Sequence, residues 1–244
     1  MTTTTRPPAG PYAVRLERTL PDVRERIERA TRDSGRTSDS VRLVAVTKGH
    51  PVEAIDAALD AGLRDFGENR VHELEEKASA RSGRGVRWHM IGHVQGRKAP
   101  RVAELAHLIH SIDSTKLAER LSRAATEDGR VVSGLAQVNT SGERSKSGFD
   151  ATDVVEQIHR LSELPGLRVE GLMTMAPFVD DEAVLAASFA GLRDVLERVR
   201  RATDAVGPEL SMGMTNDLEI AIREGSTMVR IGTALFGERA GDLT

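Results

Sequence analysis

The chain contains no cysteine, no long apolar run and no excess of positive charge. Without cysteine there can be no disulfide, thiolate nucleophile or cysteine-ligated metal. No apolar stretch approaches the roughly 18 residues that a membrane-spanning helix needs, and the polar segment 1–8 lacks the core of a signal peptide. A net charge of −3 without a basic block gives no general attraction to nucleic acid. These absences predict a cytoplasmic protein that binds neither membranes nor nucleic acid.

Short apolar runs alternate with amphipathic helical patterns along most of the chain. A helical pattern over 12–33 predicts a first helix. Eight strands are then predicted, at 41–48, 64–68, 87–92, 108–113, 133–139, 168–175, 209–214 and 228–231. Helices are predicted after the strands, at 51–61, 69–80, 100–106, 115–127, 151–164, 182–203 and 216–224, with a short extra turn at 232–236.

Eight strand–helix alternations without a break in composition predict a (β/α)8 barrel, the TIM-barrel architecture, with an extra N-terminal helix. An open doubly wound sheet is the alternative. The barrel is expected to form one domain over 11–244, after a disordered tail at 1–10. In such barrels the active site lies at the carboxyl ends of the strands.

Lysine is scarce in this chain, and one lysine ends the first strand. There are five lysines and 29 arginines. Lys48 follows an unbroken apolar run, whereas Lys77, Lys98, Lys116 and Lys146 lie in polar loop or helical segments. Partial burial lowers the pKa of a lysine, and the neutral amine can attack an aldehyde to form a Schiff base. The alternative is a strand-end lysine that simply reaches solvent.

Two segments rich in small and hydroxyl residues accompany the last two strands, where barrels commonly bind phosphate. Segments 210–216 and 229–237 both offer hydroxyls, glycines that let backbone N–H groups approach an anion, and a predicted helix start. Facing Lys48 across one barrel mouth, they would form a site for a phosphorylated aldehyde. Pyridoxal 5′-phosphate (PLP) is the obvious candidate.

Arg230 lies between two apolar residues of the eighth strand, so its charge should be paired. One interpretation is a salt bridge inside the barrel. The other is a donor to the pyridine nitrogen of PLP. Because arginine stays protonated, it would keep that nitrogen neutral and weaken the ring as an electron sink. This predicts mild cofactor chemistry, limited to exchange of the Schiff-base amine or racemisation.

Seven segments carry a family resemblance, and they occur in order along the chain. They are VAVTK (44–48), FGENR (66–70), WHMIG (88–92), HSIDS (110–114), GLMTM (171–175), LSMGM (210–214) and VRIGTALFG (229–237). With these motifs the chain resembles the pyridoxal phosphate homeostasis proteins, which are similar in barrel and cofactor mode to the N-terminal domain of fold-type III alanine racemases. Arg97 stands where the family tends toward asparagine, a departure outside the implied cofactor site.

The resemblance implies a single-domain barrel that holds PLP as a Schiff base on Lys48. The other residues that it implies are Ser211, Gly232 and Thr233 at the phosphate, Arg230 at the ring nitrogen, and Asn69 near the cofactor. The family is regarded as acting in PLP homeostasis, buffering the cofactor or delivering it to apo-enzymes, without an established catalytic reaction. We therefore expect a PLP-binding protein that is not an enzyme and that is a monomer, because the racemase's second domain is absent from this sequence.

Other functions stay open at this point. A low-activity amino-acid racemase would need a second acid/base group opposite Lys48. Alanine racemases are similar in taking a tyrosine from a second domain for this purpose, whereas the single tyrosine here, Tyr12, is placed before the first helix. A Schiff-base aldolase would use Lys48 directly on a sugar phosphate. A pure interaction scaffold would leave both the lysine and the anion segments unexplained.

For several other polar residues the sequence gives a weaker indication of a functional role. His89 and His93 are four apart on a predicted strand, a span of about 13 Å that is too long for one ion, so no metal site is predicted. His50 is interpreted as a loop histidine that faces water, with tuning of Lys48 as the alternative. Glu68 ends the second strand at the predicted mouth. Segment 140–148 is a candidate active-site loop. Its Lys146 is a less favoured candidate for the reactive amine than Lys48.

Overall fold

The structure, a computed structural model, describes residues 10–140, 147–150 and 153–239. Residues 1–9 of the predicted tail lie outside the described residues. So do residues 141–146 of the predicted active-site loop, including Lys146. The division into a tail at 1–10 and one domain at 11–244 therefore stays a prediction.

Strands and helices alternate along the chain, as the sequence predicts. The strands are β1 (Arg42–Val46), β2 (Asp65–Glu68), β3 (Arg87–Met90), β4 (Leu108–Ile112), β5 (Val132–Asn139), β6 (Phe149–Asp150), β7 (Leu167–Met173), β8 (Val206–Ser211) and β9 (Met228–Ile231). The helices are α1 (Pro11–Asp33), α2 (Val52–Asp60), α3 (Val71–Ala80), α4 (Ala99–Leu105), α5 (Thr115–Glu127), α6 (Val154–Ser162), α7 (Glu182–Ala202), α8 (Leu218–Arg223) and α9 (Thr233–Phe236).

Eight of the described strands close into a parallel barrel. The order runs β4-β3-β2-β1-β9-β8-β7-β5, and pairing of β4 with β5 completes the ring. The two-residue strand β6, which the sequence did not predict, adds to the end of β5. The (β/α)8 barrel with an extra N-terminal helix is thus confirmed, and the open sheet is wrong.

The helices cover the barrel because each buries an apolar face against it or against a neighbouring helix. α1 packs on α2, α8 and α9 and buries one stripe of its surface, formed by Leu16, Leu20, Val23 and Ile27. The strands between are buried on both faces, as in β2 and β9, where every residue is buried. Among the described helices, none is both long and apolar enough to cross a membrane.

β8 lies three residues earlier than predicted, at Val206–Ser211 and not at 209–214. The strand does not extend to 214 because Gly213 has a φ of +96°, in the left-handed region. The Met214 N–H then donates to Oδ1 of Asp217 at 2.5 Å, which closes a turn. As a consequence, residues 214–216 leave the sheet at the mouth of the barrel.

Candidate functional site

A cleft of about 690 Å³ opens at the carboxyl ends of the barrel strands. Ligand pockets in proteins commonly have volumes of about 300–1,000 Å³. Residues of β1 and β9 line the cleft together with the loops that follow β2, β3, β7 and β8. Five of the six predicted site residues share it, namely Lys48, Asn69, Arg230, Gly232 and Thr233.

Lys48 reaches the cleft because side chains alternate along β1 and its continuation. Val46 and Lys48 line the cleft. Thr47, between them, points to the other side, where its hydroxyl donates to Oε1 of Glu68 at 2.6 Å. The backbone N–H of Gly49 donates to Oε2 of Glu73 at 2.7 Å. Hydrogen bonds on the far side of the backbone therefore fix the turn that carries Lys48.

Lys77 belongs to this supporting network, although the sequence placed it in polar helical surroundings. It is 5% exposed. Its ammonium donates to Oε1 of Glu68 and the Thr47 carbonyl, both at 2.8 Å, and to Oε2 of Glu73 at 3.3 Å. The pattern of α3 does not reveal this burial because the partner, Glu68, comes from the neighbouring strand.

Glu68 lies in the interior and not at the mouth where the sequence placed it. Its side chain is buried, and within the described part of the chain its Oε2 has no hydrogen-bond partner. Burial raises the pKa of Glu68 to about 7, although the charge and hydrogen bond of Lys77 oppose the shift. Glu68 therefore holds Lys77 and Thr47 and does not line the cleft.

Arg230 forms a buried cationic part of the cleft wall. It is 6% exposed, and its Nη1 donates to Oγ of Ser211 at 2.6 Å while Nη2 donates to the Thr174 carbonyl at 3.0 Å. Burial lowers its pKa to about 10, against the opposing charge of Asp217, so it remains protonated at neutral pH. Both of these acceptors are neutral oxygens. Within the described residues, Arg230 therefore forms hydrogen bonds to neutral groups, and not the salt bridge that was one interpretation of the sequence.

Ser211 lies in the barrel interior, where its hydroxyl contacts Arg230. The residue is fully buried, and its Oγ lies 2.8 Å from Nδ1 of His110. Ser211 ends β8, whereas the predicted strand 209–214 placed it inside the strand, and its observed polar contacts are with Arg230 and His110. Direct contact of Ser211 with a phosphate stays a prediction.

The ends of β8 and β9 supply the part of the cleft suited to an anion. Gly232 and Thr233 line it on the β9 side, and Thr215 and Asn216 line it on the β8 side. Their hydroxyl and amide groups are hydrogen-bond donors. Gly232 suits this position because an added Cβ would lie 3.3 Å from the Val46 carbonyl oxygen. The sequence indicated segment 210–216 as part of an anion site. Thr215 and Asn216 were not predicted as site residues, because the strand was predicted to run to residue 214.

Asn69 lines the cleft at the end of β2, beside the loop that follows β3. The two loops touch through Gly92, where an added Cβ would lie 2.1 Å from the backbone oxygen of Asn69. Only glycine allows so close an approach. This contact explains why the segments 66–70 and 88–92 contribute to one site.

The loop after β7 forms an apolar rim with two acidic side chains. Phe178 is 97% exposed, and Met175 is 42% exposed. Both line the cleft, as do Asp180 and Glu182. The rim therefore offers apolar surface to a flat ring and places two carboxylates at the opening.

Two predictions, one about a histidine and one about the tyrosine, are wrong. His50, interpreted as water-facing, is 7% exposed, and its Nδ1 lies 3.2 Å from the hydroxyl of Tyr12. Tyr12 lies inside α1 and not before it. Burial lowers the pKa of His50, with the charge of Lys77 acting in the same direction. The pair therefore ties α1 to the turn after β1.

His89 and His93, which the sequence predicted to be too far apart to bind one ion, lie in different environments. His89 is fully buried in the barrel. His93 is exposed, and its Nδ1 lies 2.9 Å from Oδ2 of Asp113. Within the described ranges no group of three or more His, Asp or Glu side chains is arranged to hold a metal ion.

Comparisons with known proteins agree with this geometry. Residues 20–240 match the family model described as alanine racemase, N-terminal domain. The pyridoxal phosphate homeostasis protein of Pseudomonas aeruginosa is 42% identical over 217 residues, which cover 89% of this chain and 93% of the relative. The structure of PipY from Synechococcus elongatus PCC7942 with PLP bound is 36% identical and has a TM-score of 0.80, covering 93% of this chain and all of PipY.

Alanine racemase from Clostridium difficile 630 shares the fold at low sequence identity. It is 15% identical with a TM-score of 0.77, and the match covers 94% of this chain but 58% of the racemase. At this identity the similarity concerns the barrel alone. The rest of the racemase's length lies outside the match.

Proposed function

This chain belongs to the pyridoxal phosphate homeostasis proteins, which share the alanine racemase N-terminal domain, and from that membership we propose that it binds PLP reversibly through Lys48 and buffers or delivers it. The observation that carries the proposal is the shared cleft. Lys48 and Arg230 line it together with Gly232 and Thr233, at the carboxyl end of a closed barrel. A phosphorylated, ring-containing aldehyde needs an amine, a ring-nitrogen partner and an anion pocket, and these residues provide all three.

Each side chain has a distinct part in this proposal. Lys48 supplies the primary amine, and Arg230 supplies a fixed cationic donor to the ring nitrogen. Gly232 and Thr233 hold the phosphate, with Thr215 added from the opposite side, and Asn69 lies near the ring. When bound, PLP supplies an aldehyde that forms a reversible Schiff base with an amine. Ser211, which the family resemblance implies at the phosphate, acts through its hydrogen bond to Arg230.

The rim residues give the opening of the cleft an apolar character. Met175 and Phe178 present apolar surface at the opening of the cleft. Reversible storage requires that the Lys48 amine exchange with other amines or water at a controlled rate, and an apolar opening slows hydrolysis. The proposed role is therefore binding and release, without a catalysed reaction. The names of the relatives support this reading, and a cytoplasmic location stays a prediction.

Reconstitution followed by reduction tests the site. Purified protein is incubated with PLP, reduced with borohydride and digested, and the labelled peptide is identified by mass spectrometry. We expect the label on Lys48 and a visible absorption band that is lost in Lys48→Arg, which keeps the charge. Lys116→Arg, at an exposed position on α5, should behave like the unchanged protein. Absence of bound PLP, or label elsewhere only, would refute the proposal.

Delivery needs its own experiment. Loaded protein is mixed with an apo-enzyme that depends on PLP, in the presence of a phosphatase that destroys free PLP. If the cofactor passes on directly, activity returns despite the phosphatase, whereas an equal amount of free PLP restores little. Equal, phosphatase-sensitive activation by both sources would limit the role to buffering.

The low-activity racemase remains the second candidate because of Asp180 and Glu182. Both carboxylates line the same cleft as Lys48, and either is a candidate second acid/base group. Chiral analysis after incubation with L- and D-alanine decides between the two functions. Turnover of about 1 s⁻¹, a common enzyme rate, that disappears in Asp180→Asn or Glu182→Gln would favour the racemase.

A further inference from the structure

A continuous chain of hydrogen bonds crosses the barrel interior from the cleft. Arg230 Nη1 contacts Ser211 Oγ at 2.6 Å, and Ser211 Oγ contacts His110 Nδ1 at 2.8 Å. His110 Nε2 lies 2.8 Å from His89 Nδ1, and His89 Nε2 lies 3.0 Å from Asp65 Oδ1. These contacts join four strands, β9, β8, β4 and β3, to Asp65 at the start of β2. We call this set the barrel relay.

The relay ends at the opposite side of the barrel in an ion pair. Asp65 accepts from Nε and Nη2 of Arg87, at 2.8 and 2.5 Å. Asp65 and Arg87 both stand at the first position of their strands, far along the barrel from the carboxyl-end cleft. The relay therefore links a buried guanidinium at the cleft to a buried carboxylate at the other end.

Proton positions in the relay follow from its two ends. A guanidinium only donates hydrogen bonds, and an ionised carboxylate only accepts them. Ser211 accepts from Arg230, but a serine oxygen can accept a second hydrogen bond, so the direction is set from the Asp65 end. Asp65 only accepts, so a neutral His89 donates to it from Nε2 and accepts at Nδ1, and a neutral His110 then leaves its own Nδ1 to accept the Ser211 hydrogen. His110 then carries its hydrogen on Nε2 and donates to His89 Nδ1. His89 likewise carries its hydrogen on Nε2 and donates to Asp65, so every bond points the same way.

The electrostatics of the relay agree with these positions. Burial lowers the pKa of His110 well below its ordinary value and also lowers that of His89, so both are neutral. Burial alone would raise the pKa of Asp65, but hydrogen bonds from His89 and Arg87 hold it below its ordinary value. Each dipole in between presents its negative end toward Arg230, which stabilises the guanidinium charge.

We infer that Ser211, His110, His89 and Asp65 are positioning residues that hold the Arg230 guanidinium, charged and in one orientation, at the wall of the cleft. The inference rests on the proposed function, because Arg230 matters to PLP only if the cofactor occupies this cleft. The relay itself consists only of side chains of this protein. Two measurements can therefore distinguish an error in the relay from an error in the proposed function.

The first measurement uses the ligand-free protein. Long-range ¹H–¹⁵N correlation spectra at pH 7 report which imidazole nitrogen carries the proton, and His89→Gln and His110→Gln assign the signals. We expect both rings to be neutral with the proton on Nε2. A proton on Nδ1 of either ring, or an imidazolium at either position, would overturn the relay whether or not PLP binds.

The second measurement compares PLP binding and absorption in three variants. Ser211→Ala removes the link to Arg230, Ser211→Thr keeps a hydroxyl, and Ser122→Ala removes another buried hydroxyl, one that donates to the Pro165 carbonyl. We expect Ser211→Ala to weaken PLP binding by about tenfold, as for loss of a hydrogen bond to a charged group, and to change its absorption band with the label still on Lys48. Ser211→Thr should recover both properties, and Ser122→Ala should match the unchanged protein.

The outcomes distinguish the positioning role from the proposed function. If folded Ser211→Ala binds PLP with unchanged affinity and spectrum, the positioning role is overturned while the proposed function stands. If Ser211→Ala does not fold, His89→Gln makes the same comparison two bonds further along the relay, with the same direction of change expected. If the unchanged protein binds no PLP, the proposed function and the positioning role both fail, and the histidine spectra decide whether the relay exists.

Discussion

Lys48 and Lys77 lie on opposite sides of the turn after β1, and their surroundings give them different roles. Lys48 lines the cleft. The Lys77 ammonium donates to Glu68, Thr47 and Glu73 on the side away from it. A buried amine with three oxygen acceptors serves to fix the backbone of this turn. The position of Lys48 at the end of a strand indicated its functional role from the sequence. Nothing in the helical pattern of α3 indicated the structural role of Lys77.

Removing the Lys77 charge should destabilise the protein strongly. Lys77→Met leaves the fully buried Glu68 without its cation, and loss of one partner of a buried pair costs about 3–5 kcal/mol. Urea denaturation at pH 7 measures the change. The double variant Glu68→Gln/Lys77→Met should lose less, because no buried carboxyl group is left without its donor. Lys116→Met, at an exposed site, should change the free energy of unfolding by less than about 0.5 kcal/mol; an equal effect in both single variants would contradict the argument.

Glu68 should make stability fall as pH rises from about 5 to 7. Burial raises its folded pKa to about 7 from an ordinary value of 4.5. Its contribution is therefore complete below the unfolded value and is lost as pH rises through the folded one. The difference in unfolding free energy between the unchanged protein and Glu68→Gln isolates this effect. With Glu76→Gln, at an exposed position on α3, the difference should stay flat across this pH range.

At the scale of elements, alternation of apolar runs with helical patterns was enough to predict the barrel. The errors fall where local sequence is ambiguous. The strand β8 was predicted three residues late: the chain runs through Pro208 inside the strand, and the apolar Met212 and Met214 lie beyond its end. The φ of Gly213 ended the strand at Ser211 instead. A two-residue strand such as β6 has no periodicity that a sequence could display.

The turn after β8 should tolerate no side chain at Gly213. Its φ is +96°, and an added Cβ would lie 2.7 Å from Cβ of Ala221. We expect Gly213→Ala to cost roughly 2–4 kcal/mol, combining backbone strain with a core clash, and to weaken PLP binding because Thr215 shifts. Gly62→Ala is the matched control, since Gly62 has a φ of +88° but no atom within 4 Å of its added Cβ. It should cost less and leave binding unchanged, and equal losses in both variants would show that the packing at 213 is unimportant.

At the scale of the molecule, the sequence revealed which residues meet at one end of the barrel but not how they are supported. Parallel strands bring all their carboxyl ends together, so Lys48 and Gly232 could be placed at one mouth from their positions alone. The barrel relay could not be foreseen in this way. His89 and His110 point inward from different strands, and their contact depends on barrel stagger and not on any spacing in the chain.

The buried histidines should make the whole protein less stable in mild acid. Burial lowers the pKa of three buried histidines, His50, His89 and His110, so the folded protein keeps them neutral. The unfolded chain binds protons on them below its pKa of about 6.5. Their stabilising contribution is therefore complete above that value and is lost as pH falls toward the folded values, at up to about 1.4 kcal/mol per pH unit for each proton. Glu68 acts in the opposite direction but accounts for at most one proton.

Urea denaturation between pH 7 and pH 5 should consequently show a falling free energy of unfolding. His110→Gln should reduce the slope, because one of the neutral buried rings is gone. His72→Gln, at an exposed position on α3, should leave the slope unchanged. A free energy of unfolding that stays constant or rises toward pH 5 would mean that the folded protein protonates these rings. A charged His110 would donate to Ser211 from Nδ1, and the single direction of hydrogen bonds toward Asp65 would then be impossible.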